Sequence, residues 1–134
     1  MASIPESFHA LLSEEPSYAV LSTTLPDGLP HLSVVWIDYD PEADRVLVNT
    51  ERDRRKEKNV RNDPRVGVLV LDPESPYRWV SVSGEVDEVT TEGAREHIDG
   101  LARRYTGAET YGNPIQTERV LLSIRPEHVV TFGD

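Results

Sequence analysis

The chain is a succession of short segments rich in β-branched residues that follow one another with little more than turns between them. Residues 18–25 (YAVLSTTL), 30–39 (PHLSVVWIDY), 45–50 (RVLVNT), 65–71 (RVGVLVL) and 78–89 (RWVSVSGEVDEV) each read as a strand, as do 119–125 and 128–132 on either side of Pro126. Parallel strands need long crossovers, usually helical, and those are missing between most of these segments. The expected class is therefore mainly β (α+β): six or seven largely antiparallel strands in one sheet or small barrel, with two or three short helices. At 134 residues, the expectation is a single domain spanning 1–134.

Several segments carry further information. In 30–39, Leu32, Val34 and Trp36 face one way and Val35, Ile37 and Tyr39 the other, so both faces call for burial. In 78–89, Val80, Val82 and Val86 line one face while Trp79, Ser81, Ser83, Glu85 and Asp87 line the other, and Gly84 marks a bulge or bend. Helical spacing occurs in residues 5–14, through Phe8, Leu11 and Leu12. It recurs in 92–105, through Ala94, Ile98, Leu101, Ala102 and Tyr105. Thr50 followed by Asp53 has the form of a helix cap, predicting a short charged helix that ends at Asn62, ahead of Asp63-Pro64. Residues 106–117 (TGAETYGNPIQT) read as a loop, one that shapes a pocket.

Charge narrows the choice of partners. The net charge is −10, and a surface so acidic repels nucleic acid and anionic membrane. Yet residues 52–65 (RDRRKEKNVRNDPR) hold seven basic side chains against three acidic ones, a local +4 that leaves −14 on the other 120 residues. The only two lysines, Lys56 and Lys58, lie in this island. There is no cysteine, which removes thiolate chemistry and disulfides. His9, His31, His97 and His128 show no metal-ligand spacing, and no metal is expected. GxSxG, HExxH, P-loop and GxGxxG motifs are absent. No secretory leader or 18-residue apolar run is visible, so a cytoplasmic location is expected.

The island admits two readings. A strand ending in Asn49-Thr50 and feeding a helix offers free N–H groups and a positive pole, and with Arg54, Lys56 and Lys58 this suits a phosphate. Alternatively, a mixed-charge helix is a solvated face. Arg54 and Lys56 are two residues apart, so they share one phosphate only if Arg54 lies in the turn before the helix proper. Trp36 and Trp79 each either stack on a flat ring or fill core or a subunit interface. Ser33, Ser81 and Ser83 read as ordinary strand hydroxyls, and no catalytic residue is singled out.

The order of these pieces resembles the pyridoxamine 5′-phosphate oxidase-like split β-barrel superfamily, and most closely its short branch of F420-dependent reductases. The matching segments are YAVLSTTLPDGLPHLSVVWIDYD, VLVNTERDRRKEKNVRNDPRVGVLVLD, RWVSVSGEV and RVLLSIRPEHVV, with R-x-K-x-x-N-V-x-x-DPR the most specific. The resemblance implies an FMN-binding split-barrel type of fold and a homodimer with a flavin-like cofactor in a groove at the subunit interface. The basic turn that holds the cofactor phosphate maps onto Asn49, Thr50, Arg54 and Lys56, with Lys58 and Asn59 beside it. The ring rests against His31, Ser33, Val34, Val35 and Trp36 and is approached by Trp79.

The implied activity is hydride transfer from reduced F420 to an unsaturated small-molecule substrate, the proton coming from solvent, His31 or a tyrosine. An FMN-dependent oxidase or reductase, or a non-catalytic flavin- or F420-binding protein, are the alternatives. Pyridoxamine phosphate oxidases proper end in an arginine-containing segment that grips substrate, which this chain lacks where it stops at Gly133-Asp134, so vitamin B6 oxidation is not expected.

Overall fold

The computed structural model describes residues 2–134; Met1 lies outside the described residues. Seven strands form one sheet: β1 (Tyr18–Thr24), β2 (Pro30–Val35), β3 (Ile37–Asp40), β4 (Arg45–Glu51), β5 (Arg65–Asp72), β6 (Ser75–Thr90) and β7 (Arg119–Phe132). Their order is β2-β1-β5-β6-β7-β4-β3, and every neighbouring pair is antiparallel. Three α-helices accompany them: α1 (His9–Ser13), preceded by a 3-10 turn (Glu6–Phe8), α2 (Arg55–Asn62) and α3 (Ala94–Thr106). None is long and apolar enough to cross a membrane.

The expected strand 30–39 is in fact two. It breaks at Trp36, so that β2 pairs with β1 at one edge of the sheet and β3 pairs with β4 at the other. A single residue thus joins the two edges, and the sheet has to curl until they meet, giving a split β-barrel. The break is held from α3: Tyr105 donates its hydroxyl to the Ser17 carbonyl (2.8 Å) and accepts from the Ile37 N–H (3.1 Å), and its ring stacks on Trp36.

The concave face forms the core, with Leu21, Ile37, Val46, Val48, Val70, Val80, Leu122 and Ile124 fully buried and Phe8 and Leu12 from the N-terminal helical segment packed among them. Burial of such side chains contributes roughly 1.5–3 kcal/mol each before chain entropy is subtracted. Helix α3 presents Ala94, Ile98, Leu101 and Ala102 as its buried stripe, at the spacing its sequence predicts. The expected burial of both faces of 30–39 holds for one only. Val35, Ile37 and Tyr39 are buried, whereas Leu32 and Val34 are 64% and 72% exposed on the convex face.

Two further expectations are corrected. The final segments join into one strand, because Pro126 sits opposite Gly84 where the β6–β7 register shifts. A Cβ on Gly84 would lie 2.0 Å from the Arg125 carbonyl oxygen, so only glycine allows the strands this approach. The cap is also displaced. β4 continues through Glu51, the N-cap residue is Arg54, and Glu57 accepts from the Asp53 N–H (2.8 Å), filling the role expected of Thr50 and Asp53.

Candidate functional site

The basic island begins in the turn between β4 and α2. Asp53 takes a left-handed conformation (φ 71°), and Arg54 follows in an extended one (φ −68°, ψ 157°). Arg54 is therefore outside the helix, free of the periodicity that would set it opposite Lys56. Both side chains line one open cleft of about 590 Å³, counting its mouth.

Of the residues expected to contact a ligand, the cleft brings together Val34, Val35, Trp36, Asn49, Thr50, Arg54 and Lys56. His31 and Ser33 stand beside it on the inward-facing row of β2 that ends in Val35. His31 Nδ1 and Ser33 Oγ are shielded from solvent and have no hydrogen-bond partner among the described residues. Lys58 turns elsewhere, into a shallow depression with Asp53, Arg61 and Asn62. Asn59 is buried and structural, donating to Thr23 Oγ1 (2.9 Å) and accepting from Arg55 (3.2 Å). Trp79 lies outside the cleft lining and stacks on Phe132 across the β6–β7 pair, centroids 5.8 Å apart.

Four lining residues were not singled out from the sequence: Arg119 from the start of β7, Ile98 from α3, and Tyr111 and Asn113 from the loop after α3, the segment expected to shape a pocket. The loop is tied down at both ends. Tyr111 N–H donates to Asp99 (2.8 Å), and Gln116 N–H, Thr117 N–H and the Thr117 hydroxyl all donate to Glu51 Oε2. Burial alone would raise the Glu51 carboxyl, but these hydrogen bonds and the nearby Arg119 charge hold it below its ordinary range. Arg119 is buried, donates Nε to Asn49 Oδ1 (2.9 Å) and lies 4.9 Å from the Tyr111 ring centroid. Arg119 stands at the start of an apolar strand segment, and the register that sets it opposite Glu51 brings it here.

The electrostatics of the cleft are one-sided. Burial lowers the affinity of Lys56 for its proton, and the charges of Arg54 and Arg119 lower it further. Arg119 is likewise shifted down, chiefly by burial. Glu51 is 4.0 Å from Arg119 Nη1, and Arg54 and Lys56 have no ion pair among the described residues. A bound anion would offset this concentration of positive charge. The rest of the lining includes the uncharged Val34, Val35 and Trp36, with Trp36 stacked on Tyr105 (5.1 Å, 14°) and edge-on to Tyr111 (6.1 Å, 89°). A lining of unpaired cations together with apolar and aromatic side chains suits a ligand that carries both an anionic group and a flat apolar one.

Comparison with known proteins converges on one group. The family model described as pyridoxamine 5′-phosphate oxidase matches residues 4–133. A solved F420 reductase is similar at 30% sequence identity and TM-score 0.81, over 95% of this chain and 98% of that one. A conserved protein from Mycobacterium tuberculosis, at 23% identity and TM-score 0.68, covers 96% of this chain and 84% of its own. HupZ from Group A Streptococcus, at 16% identity and TM-score 0.67, covers 96% and 93%. These last two share the fold.

Proposed function

Because the chain belongs to the pyridoxamine 5′-phosphate oxidase-like family, in the branch that includes F420 reductases, we propose that it is an oxidoreductase using reduced F420 to reduce an unsaturated small molecule. The observation that carries the reading is the mixed lining of the cleft: Arg54, Lys56 and Arg119 with one carboxylate near them, together with Val34, Val35 and Trp36. The residues fit a phosphorylated, ring-bearing cofactor on a second count. His31 Nδ1 and Ser33 Oγ are shielded yet unsatisfied, and buried polar atoms of this kind ordinarily find a partner in water or ligand.

When bound, the cofactor supplies the chemistry, a hydride from C5 of its deazaflavin ring. The chain supplies position. Arg54 and Lys56 hold the phosphate at the start of α2, where free N–H groups add to their charge. Asn49 and Thr50 line the same cleft. Val34, Val35 and Trp36 form the surface along which the ring lies, with His31 and Ser33 able to donate to its polar edge. Tyr111 and Asn113 border the space left for substrate.

A second copy of the chain completes the site. Val34 belongs both to the cleft and to an apolar convex face that runs across register-matched positions Val34, Val20, Leu69, Ser81 and Val130. Leu32, Tyr18 and Phe132 extend that face and are more than half exposed. Apolar surface this continuous favours association, and a homodimer that covers it also closes the mouth of the cleft and excludes water.

Titrating the apo-protein with F420 and with FMN tests the assignment. Micromolar F420 binding tighter than FMN is expected, followed by oxidation of reduced F420 in the presence of enones or quinones. Tighter binding of FMN would favour the flavin oxidase or reductase alternative. F420 binding without turnover across such a panel would favour a carrier.

A further inference from the structure

A line of hydrogen bonds runs beneath α3 and ends on one of the cations of the cleft. Asp38 on β3 accepts from Arg104 Nη2 (2.7 Å) and from His97 Nε2 (2.9 Å). His97 Nδ1 lies 3.1 Å from Asn49 Nδ2, and Asn49 Oδ1 accepts from Arg119 Nε (2.9 Å). Burial alone would raise the Asp38 carboxyl, but hydrogen bonds from His97 and Arg104 keep it below its usual range, so it is an acceptor. His97 Nε2 must then carry the proton. The Asn49 amide nitrogen also donates to the Ala94 carbonyl (2.8 Å), which fixes its orientation and makes His97 Nδ1 the acceptor of a neutral ring.

We propose that His97 is a positioning residue for the cleft: its singly protonated ring holds the Asn49 amide in the orientation that accepts from Arg119, and a second proton on His97 releases Arg119 and weakens anion binding. A proton on Nδ1 would face the Asn49 NH2 group, donor against donor. If the amide rotates by half a turn, its oxygen opposes the Ala94 carbonyl and its nitrogen opposes Arg119 Nε. If it withdraws instead, Arg119 again loses its acceptor. Either way the guanidinium keeps only Glu51, at 4.0 Å, and the Tyr111 ring to orient it.

The groups that face His97 are Asp38 from β3, Asn49 from β4 and, within its own helix, Arg104 acting through Asp38; Arg119 of β7 is reached through Asn49. A purely Coulombic effect has the opposite sign, since an added positive charge on His97 would tighten anion binding at low pH. The direction of the pH dependence therefore separates the two.

The inference rests on the cleft being an anion-binding cofactor site, and one arm of the test needs no ligand. In the unliganded protein, nitrogen NMR follows the His97 ring and the Arg119 Nε–H as pH is lowered until the ring takes up its second proton. The Arg119 Nε–H is expected to lose its protection from exchange with the same midpoint as His97. An Arg119 signal indifferent to His97 would overturn the proposal. In the second arm, F420 affinity is measured by fluorescence over the same range. The wild type is compared with His97→Asn, whose side-chain oxygen replaces Nδ1 as acceptor and takes up no proton.

The wild type is expected to weaken by about five-fold as pH falls, the loss of one hydrogen bond, and the variant to lack that component. Parallel pH slopes in the two proteins, or tighter wild-type binding at low pH, count against the proposal. If F420 fails to bind the wild type at every pH, the cofactor reading fails, and the first arm still decides the role of His97.

Discussion

Two halves of the same basic island do different work. Arg52, Arg61 and Arg65 are neutralised where they stand, by Glu118, by Asp53 and Glu57, and by Asp63. Arg54 and Lys56, in the midst of them, have no ion pair among the described residues and line the cleft with Arg119. Composition does not separate these groups; backbone conformation does. The left-handed Asp53 and extended Arg54 turn two cations toward the cleft, while the helix begun at Arg55 sets Arg61 one turn beyond Glu57. Positive charge indicates a ligand where it is both unpaired and turned into a cleft; Arg55 and Lys58, which also lack an ion pair among the described residues, lie outside the cleft lining.

The comparison can be broken most decisively by removing the uncompensated pair. The Arg54→Ala, Lys56→Ala double variant is expected to lose F420 affinity by about a hundred-fold or more, two charge-assisted hydrogen bonds contributing at least about 3 kcal/mol. Fluorescence titration reads the loss, and circular dichroism should report an unchanged fold. Arg61→Ala should do the reverse. It leaves the fully buried Glu57 carboxylate with only the Asp53 N–H, so the thermal midpoint should fall by several degrees while cofactor affinity holds.

Lys56 offers a subtler test, because binding it well to an anion makes it costly without one. Its native proton affinity lies below the ordinary lysine value of 10.5 through burial and the Arg54 and Arg119 charges. Above that lowered native value and up to 10.5, the unfolded chain holds more protons than the folded one, so stability contributed by this group rises with pH. Unliganded Lys56→Met should accordingly unfold at a higher temperature than the wild type near neutral pH, with the advantage shrinking as pH climbs through the native Lys56 value. Differential scanning calorimetry at several pH values measures it. The smallest effect belongs to Lys58→Ala. Lys58 lies outside the cleft, so affinity should change less than two-fold and stability by about 0.5 kcal/mol or less.

The stripe of α3, the Gly84 bulge and most of the strands were legible because each depends on residues close together in the chain; the turn that frees Arg54 was not, because Thr50 and Asp53 mimic a helix cap one turn too early. Much of the cleft's cationic lining was legible through the same closeness in the chain. Arg119 and His97 were not, since strand register and helix docking bring them together from segments that look unremarkable alone; the loop 106–117 was expected at a pocket, but which of its residues face the cleft was not legible. Arg119 resembles a polar residue flanking an apolar strand, and His97 resembles any exposed-face histidine of an amphipathic helix. Trp36 misleads in another way. Side-chain alternation continues through it undisturbed, so periodicity predicts one strand even though its two halves pair at opposite edges of the sheet. The burial expected of Leu32 and Val34 is absent from a single chain.

The Trp36 break also governs how the fold can fail. An open seven-stranded sheet would expose two independent edges, each with unpaired N–H and C=O groups able to recruit another chain. Here the two edge strands are consecutive in sequence and share one covalent tether, so neither can peel outward without dragging on the other. Opening of the barrel seam is thereby a concerted event, and local fraying at one edge cannot ripen into templated aggregation unless the other edge gives way with it.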